Sequence, residues 1–269
     1  MQITILGTAA AEGWPAVFCG CATCNRARQV GGHNRRSRAS VQLGQEHKID
    51  LPPDSWYHEA ILGADLSKLK HLFITHSHPD HLSLDQLDYL DAPFAHNRPL
   101  PIAIYGNKDV VDILRCVLGD ARKTKANLVE IEPFVPVEAD GLTFIPTLAS
   151  HKPDETCLNY VVTSNGKSVL YASDTGYFPE ETWRFLENVH LDCVICECTD
   201  GPNPGGQYHM DFTHLFAVKE RLQDMQVFER GVFVATHFSH NVGLLHDDLE
   251  NILGGHGILT AYDGMIIKL

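Results

Sequence analysis

The stretch Thr75-His76-Ser77-His78-Pro79-Asp80-His81 decides the fold of this chain, because it places four metal-binding side chains within six residues. It follows the apolar run His71-Leu72-Phe73-Ile74, which predicts a short buried strand. A loop at the end of a rigid strand holds its side chains at one point in space. Imidazoles together with a carboxylate suit zinc and similar divalent ions. The alternative is a surface histidine cluster that binds no metal.

Three further ligand-type residues each follow a strand-like run later in the chain. They are, in chain order, His151 after the run 142–148, Asp174 after the run 168–173, and His237 after the run 231–236. A single histidine after a strand is more often structural than a metal ligand. Several strand ends that carry matching chemistry together favour one shared metal site.

The order of these residues resembles the metallo-β-lactamase superfamily over nearly the whole chain. The resemblance implies an α/β fold of the αββα type, in which two packed mixed β-sheets carry helices on their outer faces. It also implies one hydrolase domain over residues 1–269 and a dinuclear metal site at one edge of the sheets. Carried over residue by residue, one metal binds His76, His78 and His151, the second binds Asp80, His81 and His237, and Asp174 bridges them. Two divalent ions about 3.5–4 Å apart activate water and clamp both oxygens of a displacement.

A second motif, Cys19-Gly20-Cys21-Ala22-Thr23-Cys24, predicts a structural zinc site with a fourth ligand from elsewhere in the chain. His240, three residues after His237, is the best fourth ligand. The first residues, Met1–Leu6, predict a strand and not a secretory signal, so we expect a reducing, cytoplasmic location, where clustered cysteines bind metal more often than they form disulfides. The alternative is three thiols without a metal.

The two motifs together resemble one branch of the superfamily, the cyclic phosphodiesterases of phosphonate degradation, which cleave cyclic ribose phosphates. In that branch three N-terminal cysteines and a histidine after the last metal histidine bind an additional zinc. The matching segments also include Gly13-Trp14-Pro15, Arg35-Arg36-Ser37-Arg38 and Tyr262-Asp263-Gly264-Met265. A homodimer is implied by this resemblance alone.

The resemblance also assigns a proton-transfer role to His209, which precedes a predicted helix capped by Asp211 or Thr213. An imidazole titrates near neutral pH and can donate a proton to a leaving alkoxide. His209 is therefore the candidate general acid, and it joins the ligand Asp80 as a candidate catalytic residue. The alternative for His209 is a histidine in a solvent-exposed loop. Asp50 stands where the superfamily has a structural aspartate that braces the metal loop.

The bulk composition limits the partners of the protein. The formal net charge is −13 and 44% of the residues are hydrophobic, yet no apolar run is long enough to cross a bilayer. An acidic chain binds polyanionic nucleic acid poorly, so we expect a small substrate and neither a large nucleic acid nor a membrane as partner. The basic cluster Arg26–Arg38 either contacts a phosphate or is solvated and paired locally; the second interpretation is slightly favoured.

The resemblance to this branch implies metal-dependent hydrolysis of a small cyclic phosphodiester, such as a cyclic ribose phosphate or a 2′,3′-cyclic nucleotide. The expected cofactors are two divalent active-site ions, zinc or manganese or iron, and one structural zinc. One alternative is an ester, thioester or lactone hydrolase with the same metal centre. Another is a cofactor-maturation protein similar to the pyrroloquinoline quinone biosynthesis B protein, although its relatives are depleted in the dinuclear ligand set. A non-catalytic metal-binding module is the third alternative.

Hydrophobic periodicity predicts strands that first cluster and then alternate with helices, which is typical of two packed sheets covered by helices. Predicted strands are 2–6, 39–43, 71–75, 101–105, 127–132, 142–148, 157–163, 168–172, 191–197, 231–236, 258–262 and 265–268. Predicted helices are 54–63, 83–91, 107–118, 179–187, 211–224 and 243–253. Of the other cysteines, Cys196 and Cys198 should share one face of a buried strand and Cys193 the opposite face, while Cys116 and Cys157 are expected in the core.

Overall fold

The computed structural model describes residues 1–90, 92–97, 101–119 and 125–269, which form two seven-stranded β-sheets and six α-helices. The first sheet runs in the order β14 (Met265–Lys268), β1 (Gln2–Gly7), β2 (Ser40–Leu43), β3 (His47–Ile49), β4 (His71–Phe73), β5 (Ile102–Gly106) and β6 (Ala126–Glu130). The second runs in the order β13 (Leu259–Thr260), β12 (Val232–Thr236), β11 (Cys193–Glu197), β10 (Lys167–Ala172), β9 (Leu158–Ser164), β8 (Leu142–Leu148) and β7 (Val137–Ala139).

The helices are α1 (Ala22–Val30), α2 (Ser55–Ala60), α3 (Lys108–Leu118), α4 (Glu180–Leu186), α5 (Phe212–Asp224) and α6 (His246–Gly254). One apolar cluster lies between the sheets, where Phe73 of β4 stacks on Phe144 of β8 with ring centroids 3.7 Å apart. A second cluster packs α4, α5 and α6 on the second sheet, and a third packs α3 on the first. The predicted α/β sandwich of two mixed sheets with outer helices is therefore confirmed.

The mixed pairing explains how the fold assembles a site. Strands β3 to β6 are parallel in the first sheet, and β10 to β13 are parallel in the second. Carboxyl ends of parallel strands lie at one edge of a sheet, so the loops after them lie near one another. The predicted metal ligands lie in the loops that follow β4, β8, β10 and β12. β8 runs in the same direction as β10, because both are antiparallel to β9.

All twelve predicted strands are present, with ends shifted by at most two residues. Five of the six predicted helices are α-helices with shorter or shifted ends. The predicted helix 83–91 is instead a 3₁₀ helix over Leu84–Leu90, and residue 91 lies outside the described residues. Among the described residues, one α-helix and two strands were not anticipated, namely α1, β3 and β7, and neither were three short 3₁₀ helices. Among the described residues, no helix is both long and apolar enough to cross a membrane.

Beneath the metal loop, β3 buries a lysine. Lys48 has no exposed surface, and its Nζ donates hydrogen bonds to Ser40 Oγ and, at 2.5 Å, to the backbone oxygen of Asp50. Burial lowers the pKa of Lys48 to about 7, against an ordinary value of 10.5, because the charged ammonium loses its hydration. The folded protein therefore holds fewer protons at this residue than the unfolded chain between those two pH values.

Because Lys48 binds fewer protons in the folded state, it should make the free energy of unfolding rise with pH. Stability rises with pH wherever the unfolded state binds more protons. Relative to the Lys48→Met variant, the parent protein should gain about 1.4 kcal/mol per pH unit above pH 7. Urea denaturation of both proteins at three pH values between 7.5 and 9.5 measures the difference. Parallel stability curves for the two proteins would show that Lys48 is charged in the folded state.

Candidate metal centre

The structure brings all seven predicted ligands of the dinuclear site together. Their ligating atoms form two groups, each with its atoms within 4.8 Å of one another, and the groups share Asp174. The first group contains His76, His78, His151 and Asp174, and the second contains Asp80, His81, Asp174 and His237. The grouping is the one that the sequence resemblance implies.

Asp174 lies between the two groups with one carboxylate oxygen toward each. Oδ2 lies 3.7 Å from His76 Nε2 and 3.4 Å from His151 Nε2. Oδ1 lies 3.2 Å from His81 Nε2 and 2.6 Å from His237 Nε2. Burial alone would raise the pKa of Asp174, but the facing His237 and His81 outweigh it and hold this pKa well below its usual range. Asp174 is thus an anion that presents one carboxylate oxygen to each ligand group.

Two of the imidazoles have their proton fixed on the outer nitrogen. His81 Nδ1 donates to Asp50 Oδ2 at 2.7 Å. His237 Nδ1 donates to Thr199 Oγ1 at 2.8 Å. The hydroxyl must be the acceptor here, because it donates its own hydrogen to the His237 carbonyl oxygen. Both inner Nε2 atoms are buried, and neither has a hydrogen-bond partner among the described residues. Each presents a lone pair to the carboxylates, an arrangement typical of metal-binding histidines.

The other Nε2 ligands show the same arrangement. His76 Nδ1 lies 3.0 Å from Thr75 Oγ1, a hydroxyl that itself donates to Asp50, and His151 Nδ1 donates to the backbone oxygen of Tyr208 at 3.2 Å. The Nδ1 atom of His78 lies 3.0 Å from both inner nitrogens. A proton on His78 Nδ1 can serve only one of these two lone pairs, and the other pair repels unless a cation lies between them. The donor set therefore fits two divalent metal ions.

The charge of the second group leads to the same conclusion. Burial lowers the pKa of His81, but Asp174, Asp80 and Asp50 together outweigh burial and raise it well above its usual value. These carboxylates thus require positive charge at Nε2, supplied by a proton or by a metal ion. Asp50 accepts hydrogen bonds from His81 and from the backbone N–H of Thr75 at 2.8 Å. It therefore braces the metal loop, as the sequence predicted.

His209 lies at the centre and not in an exposed loop. Its ring centroid is 4.8 Å from that of His151 and 5.9 Å from that of His237. Its Nδ1 donates to Glu197 Oε1 at 2.8 Å. Burial lowers the pKa of His209, but Glu197 outweighs it and raises this pKa to about 9. The helix that follows is capped by Asp211, which accepts from the N–H of His214.

Sequence reasoning missed Glu197, the last residue of β11. Its side chain is fully buried, and its Oε1 also accepts from Thr175 N at 2.8 Å. Its Oε2 accepts from the backbone N–H groups of Thr199 at 2.9 Å and Met210 at 3.2 Å. Three backbone donors and one imidazole hold this carboxylate rigidly. The signal in the sequence was a glutamate inside an otherwise apolar run, since a buried charge needs partners.

The structure also brings together the four predicted ligands of the structural zinc. Ligating atoms of Cys19, Cys21, Cys24 and His240 lie within 4.8 Å of one another. His240 Nδ1 is 3.5 Å from Cys21 Sγ and 3.8 Å from Cys19 Sγ. The backbone N–H of Cys24 has the largest effect on the pKa of Cys21, and His240 has the next largest. Together they lower this pKa to about 6, so the thiol is ionised at neutral pH. A thiolate is the form that binds zinc, so the cluster fits the ion.

A cavity of about 330 Å³ opens beside the dinuclear groups. It is lined by Ala10, Ala11, Glu12, His78, Asp80, His151, Asp174, Thr199, Asp200, Asn203, His209, His237, Ser239 and Asn241. Its volume is at the small end of the range for small-molecule sites. The cavity therefore fits a small substrate that reaches Asp174 and His209 together.

The basic cluster Arg26–Arg38 contributes no side chain to the lining of this cavity. Arg28 donates to the backbone oxygens of Ala16 and Cys19, which steadies the cysteine loop. Arg36 is buried and donates to Thr8 Oγ1, and Arg38 forms an ion pair with Asp54 at 3.0 Å. The favoured interpretation from sequence, a solvated surface or local pairing with carboxylates, therefore describes Arg38, while Arg28 and Arg36 bond to neutral oxygens.

The remaining cysteines are mostly where the sequence placed them. Cys196 and Cys198 pack in the outer core beneath the helices, and Cys193 packs between the sheets. Cys157 is buried as well. The prediction for Cys116 was wrong, because this residue lies on the exposed face of α3. The buried face of α3 is marked by Val110, Val111, Leu114 and Leu118 at helical spacing, and Cys116 falls outside that series.

Residues 52–238 match the family described as the beta-lactamase superfamily domain, and this range is more than half of the 269 residues. The chain belongs to the β-lactamase superfamily. No curated protein matches it.

Several solved structures share the fold of this superfamily member. A diphosphatase of the PhnP family is 23% identical, with a TM-score of 0.80, and the alignment covers 100% of this chain and 97% of the diphosphatase. Zinc-bound PqqB from Methylobacterium extorquens is 17% identical, with a TM-score of 0.80 and full coverage of both chains. The short form of human tRNase Z is 15% identical, with a TM-score of 0.68 and coverage of 100% and 99%. At these identities the likeness establishes the fold alone.

Proposed function

We propose that this protein is a metal-dependent phosphodiesterase that hydrolyses a small cyclic phosphate. The observation that carries the proposal is the His209–Glu197 pair, which lies beside two ligand groups that share Asp174. Hydrolysis of a phosphodiester expels an alkoxide, a poor leaving group that needs a proton. A histidine held by a buried carboxylate next to the reacting centre is suited to supply that proton.

Seven side chains would hold the metal ions of the proposed enzyme. His76, His78 and His151 would hold one divalent ion, Asp80, His81 and His237 the other, and Asp174 would contact both. Zinc, manganese and iron all suit these ligands. When bound, the two ions supply Lewis-acid activation of water and of the phosphoryl oxygens.

Glu197 and the groups around it orient His209, which protonates the leaving oxygen. Hydrogen bonds from Thr175, Thr199 and Met210 fix the Glu197 carboxylate, and Glu197 fixes the His209 ring. Because Glu197 accepts from Nδ1, the Nε2 proton of the imidazolium is the one available to the leaving oxygen. After the transfer, the product hydroxyl leaves through the cavity that His209 lines.

The comparisons support a hydrolase of this class, since the neighbours of similar fold include a PhnP-family diphosphatase and human tRNase Z. PqqB has the same fold, but the complete dinuclear ligand set argues against a cofactor-maturation role for this chain. An ester or lactone hydrolase would use the same metal ligands, so the choice of substrate in the assay has to separate the two chemistries.

The test compares the parent protein with His209→Gln on two phosphodiesters of different leaving group. Metal-loaded parent protein should hydrolyse both 2′,3′-cyclic AMP and bis(p-nitrophenyl) phosphate. The variant should lose about 10²- to 10⁴-fold in kcat on the cyclic nucleotide and roughly tenfold or less on the nitrophenyl ester, because nitrophenolate leaves without a proton.

His190→Gln, a change at an exposed histidine, is the matched control and should behave as the parent on both substrates. Metal analysis of each protein shows whether the ligands are intact. Equal losses on the two phosphodiesters would remove His209 from the acid role. Turnover of a carboxylic ester or lactone, with neither phosphodiester cleaved, would replace the proposed function.

A further inference from the structure

The cavity carries two carboxylates that the metal centre does not use. Asp80 and Asp174 belong to the ligand groups, but Glu12 and Asp200 also line the wall. Of the described residues that line the cavity, none is lysine or arginine. A site for a polyanionic substrate ordinarily supplies cationic side chains for the phosphates that do not react.

Glu12 is oriented by its neighbours on the loop after β12. Ser239 Oγ donates to Glu12 Oε1 at 2.6 Å, and His240 Nε2 lies 3.7 Å from the same oxygen. His240 is in turn the histidine of the cysteine cluster. The other oxygen, Oε2, accepts no hydrogen bond from the described residues. It is therefore available to a donor in the cavity, such as a hydroxyl group.

Beside these carboxylates the lining offers uncharged polar side chains, those of Thr199, Asn203, Ser239 and Asn241. Asn203 donates from Nδ2 to the backbone oxygen of Asn241 at 3.2 Å, which ties the loop after β11 to the loop after β12. Amide side chains and carboxylates together offer hydrogen bonds to hydroxyl groups. They do not offer a counter-charge to a second phosphate.

We propose that the cavity selects a cyclic phosphodiester with one negative charge and a neutral, hydroxyl-bearing remainder, and discriminates against substrates with a second phosphate. Glu12 and Asp200 are the specificity-determining residues. This inference rests on the proposed function, in which the two metal ions neutralise the single reacting phosphate. A second phosphate would approach these two carboxylates with no lysine or arginine among the described lining residues to pair with it, and His209 serves the reacting phosphate. Like charges brought together cost affinity.

The experiment uses cytidine 2′,3′-cyclic phosphate with and without a 5′-phosphate as probes, on metal-loaded protein. The 5′-phosphate should lower kcat/KM of the parent protein by about tenfold or more. In the double variant Glu12→Gln, Asp200→Asn this penalty should shrink to about threefold or less, because the amides keep the shape and lose the charge. Glu59→Gln, on the exposed face of α2, has the same effect on net charge as one of these changes and should keep the parental ratio.

Calorimetry provides a readout that does not need turnover. Cytidine 2′-phosphate should bind the parent protein more tightly than cytidine 2′,5′-bisphosphate, and the double variant should lose this preference. If the preference holds in binding while neither cyclic phosphate is cleaved, the proposed function fails and the charge selection stands. If the cyclic phosphates are cleaved and the 5′-phosphate costs nothing, or costs the same in the double variant, the inference is wrong and the proposed function stands.

Discussion

Asp174→Asn is expected to abolish hydrolysis, with a loss of about 10³-fold or more in kcat, because both ligand groups depend on this one carboxylate. Each oxygen of Asp174 faces a different pair of histidines. The amide keeps the size of the side chain but removes its charge and replaces one acceptor oxygen with a donor. One group would then face an N–H where it needs a lone pair.

The metal content should fall with the activity. Elemental analysis of the purified parent protein is expected to give about three ions per chain, two in the dinuclear site and one in the cysteine cluster. The variant should keep the cysteine-bound ion and lose at least one of the other two. Asp224→Asn, at an exposed position near the end of α5, is the matched control for the chemical change. Full metal content with parental turnover in Asp174→Asn would show that the carboxylate does not bridge.

The ligands of this centre were predictable because each follows a strand with a clear apolar pattern. The loop after β4 carries four metal-binding side chains, and β10 and β12 each end directly before Ser173-Asp174 or His237. Residue type and position at a strand end are both visible in a sequence. What the sequence does not show is which oxygen of Asp174 faces which histidine, since this depends on the packing of the two sheets.

The elements that the sequence did not predict, α1, β3 and β7, have weak local signals. Helix α1 begins at Ala22, inside the cysteine motif, and continues with polar and charged residues, so it has a weak apolar pattern. Its N-terminus is capped by the Sγ of Cys21, which accepts from Cys24 N at 3.4 Å, and sulfur is not among the usual capping groups. Strands β3 and β7 have three residues each with a charged residue at the centre, so unlike the equally short β4 they lie in no apolar run. Tertiary contacts decide these elements.

The cysteine cluster joins distant parts of the chain, which is why it matters to the active site. It connects the segment after β1 to His240, 221 residues after Cys19 and three residues after His237. Backbone hydrogen bonds connect the same segments, from Ala10 N to Phe238 O at 3.1 Å and from Phe238 N to Thr8 O at 2.9 Å. An ion in the cluster would therefore fix the wall that carries Glu12 and the loop that carries His237.

Cys21→Ser is accordingly expected to lose about one zinc per chain and to lower the melting temperature by roughly 10 °C, since loss of a structural zinc costs several kcal/mol. Cys21 is the thiolate of the cluster, so the substitution removes a metal ligand. Serine is a favoured capping residue, so the start of α1, which Cys21 caps, should be preserved and the loss of stability should come from the metal. Its test is a thermal melt with metal analysis before and after. Cys116→Ser replaces an exposed thiol on α3 and should leave metal content and melting temperature unchanged.

The KM of the Cys21→Ser variant shows whether the zinc only stabilises its own loop or also positions the cavity wall. If zinc fixes the wall through His240 and Glu12, the Cys21→Ser variant should also show a raised KM for a cyclic nucleotide at temperatures where it remains folded. Its dinuclear site, whose ligands lie on other loops, should retain both ions. Loss of the zinc with an unchanged melting temperature and KM would reduce the cluster to an incidental metal site. Retention of about three ions per chain in Cys21→Ser would remove Cys21 from the ligand set.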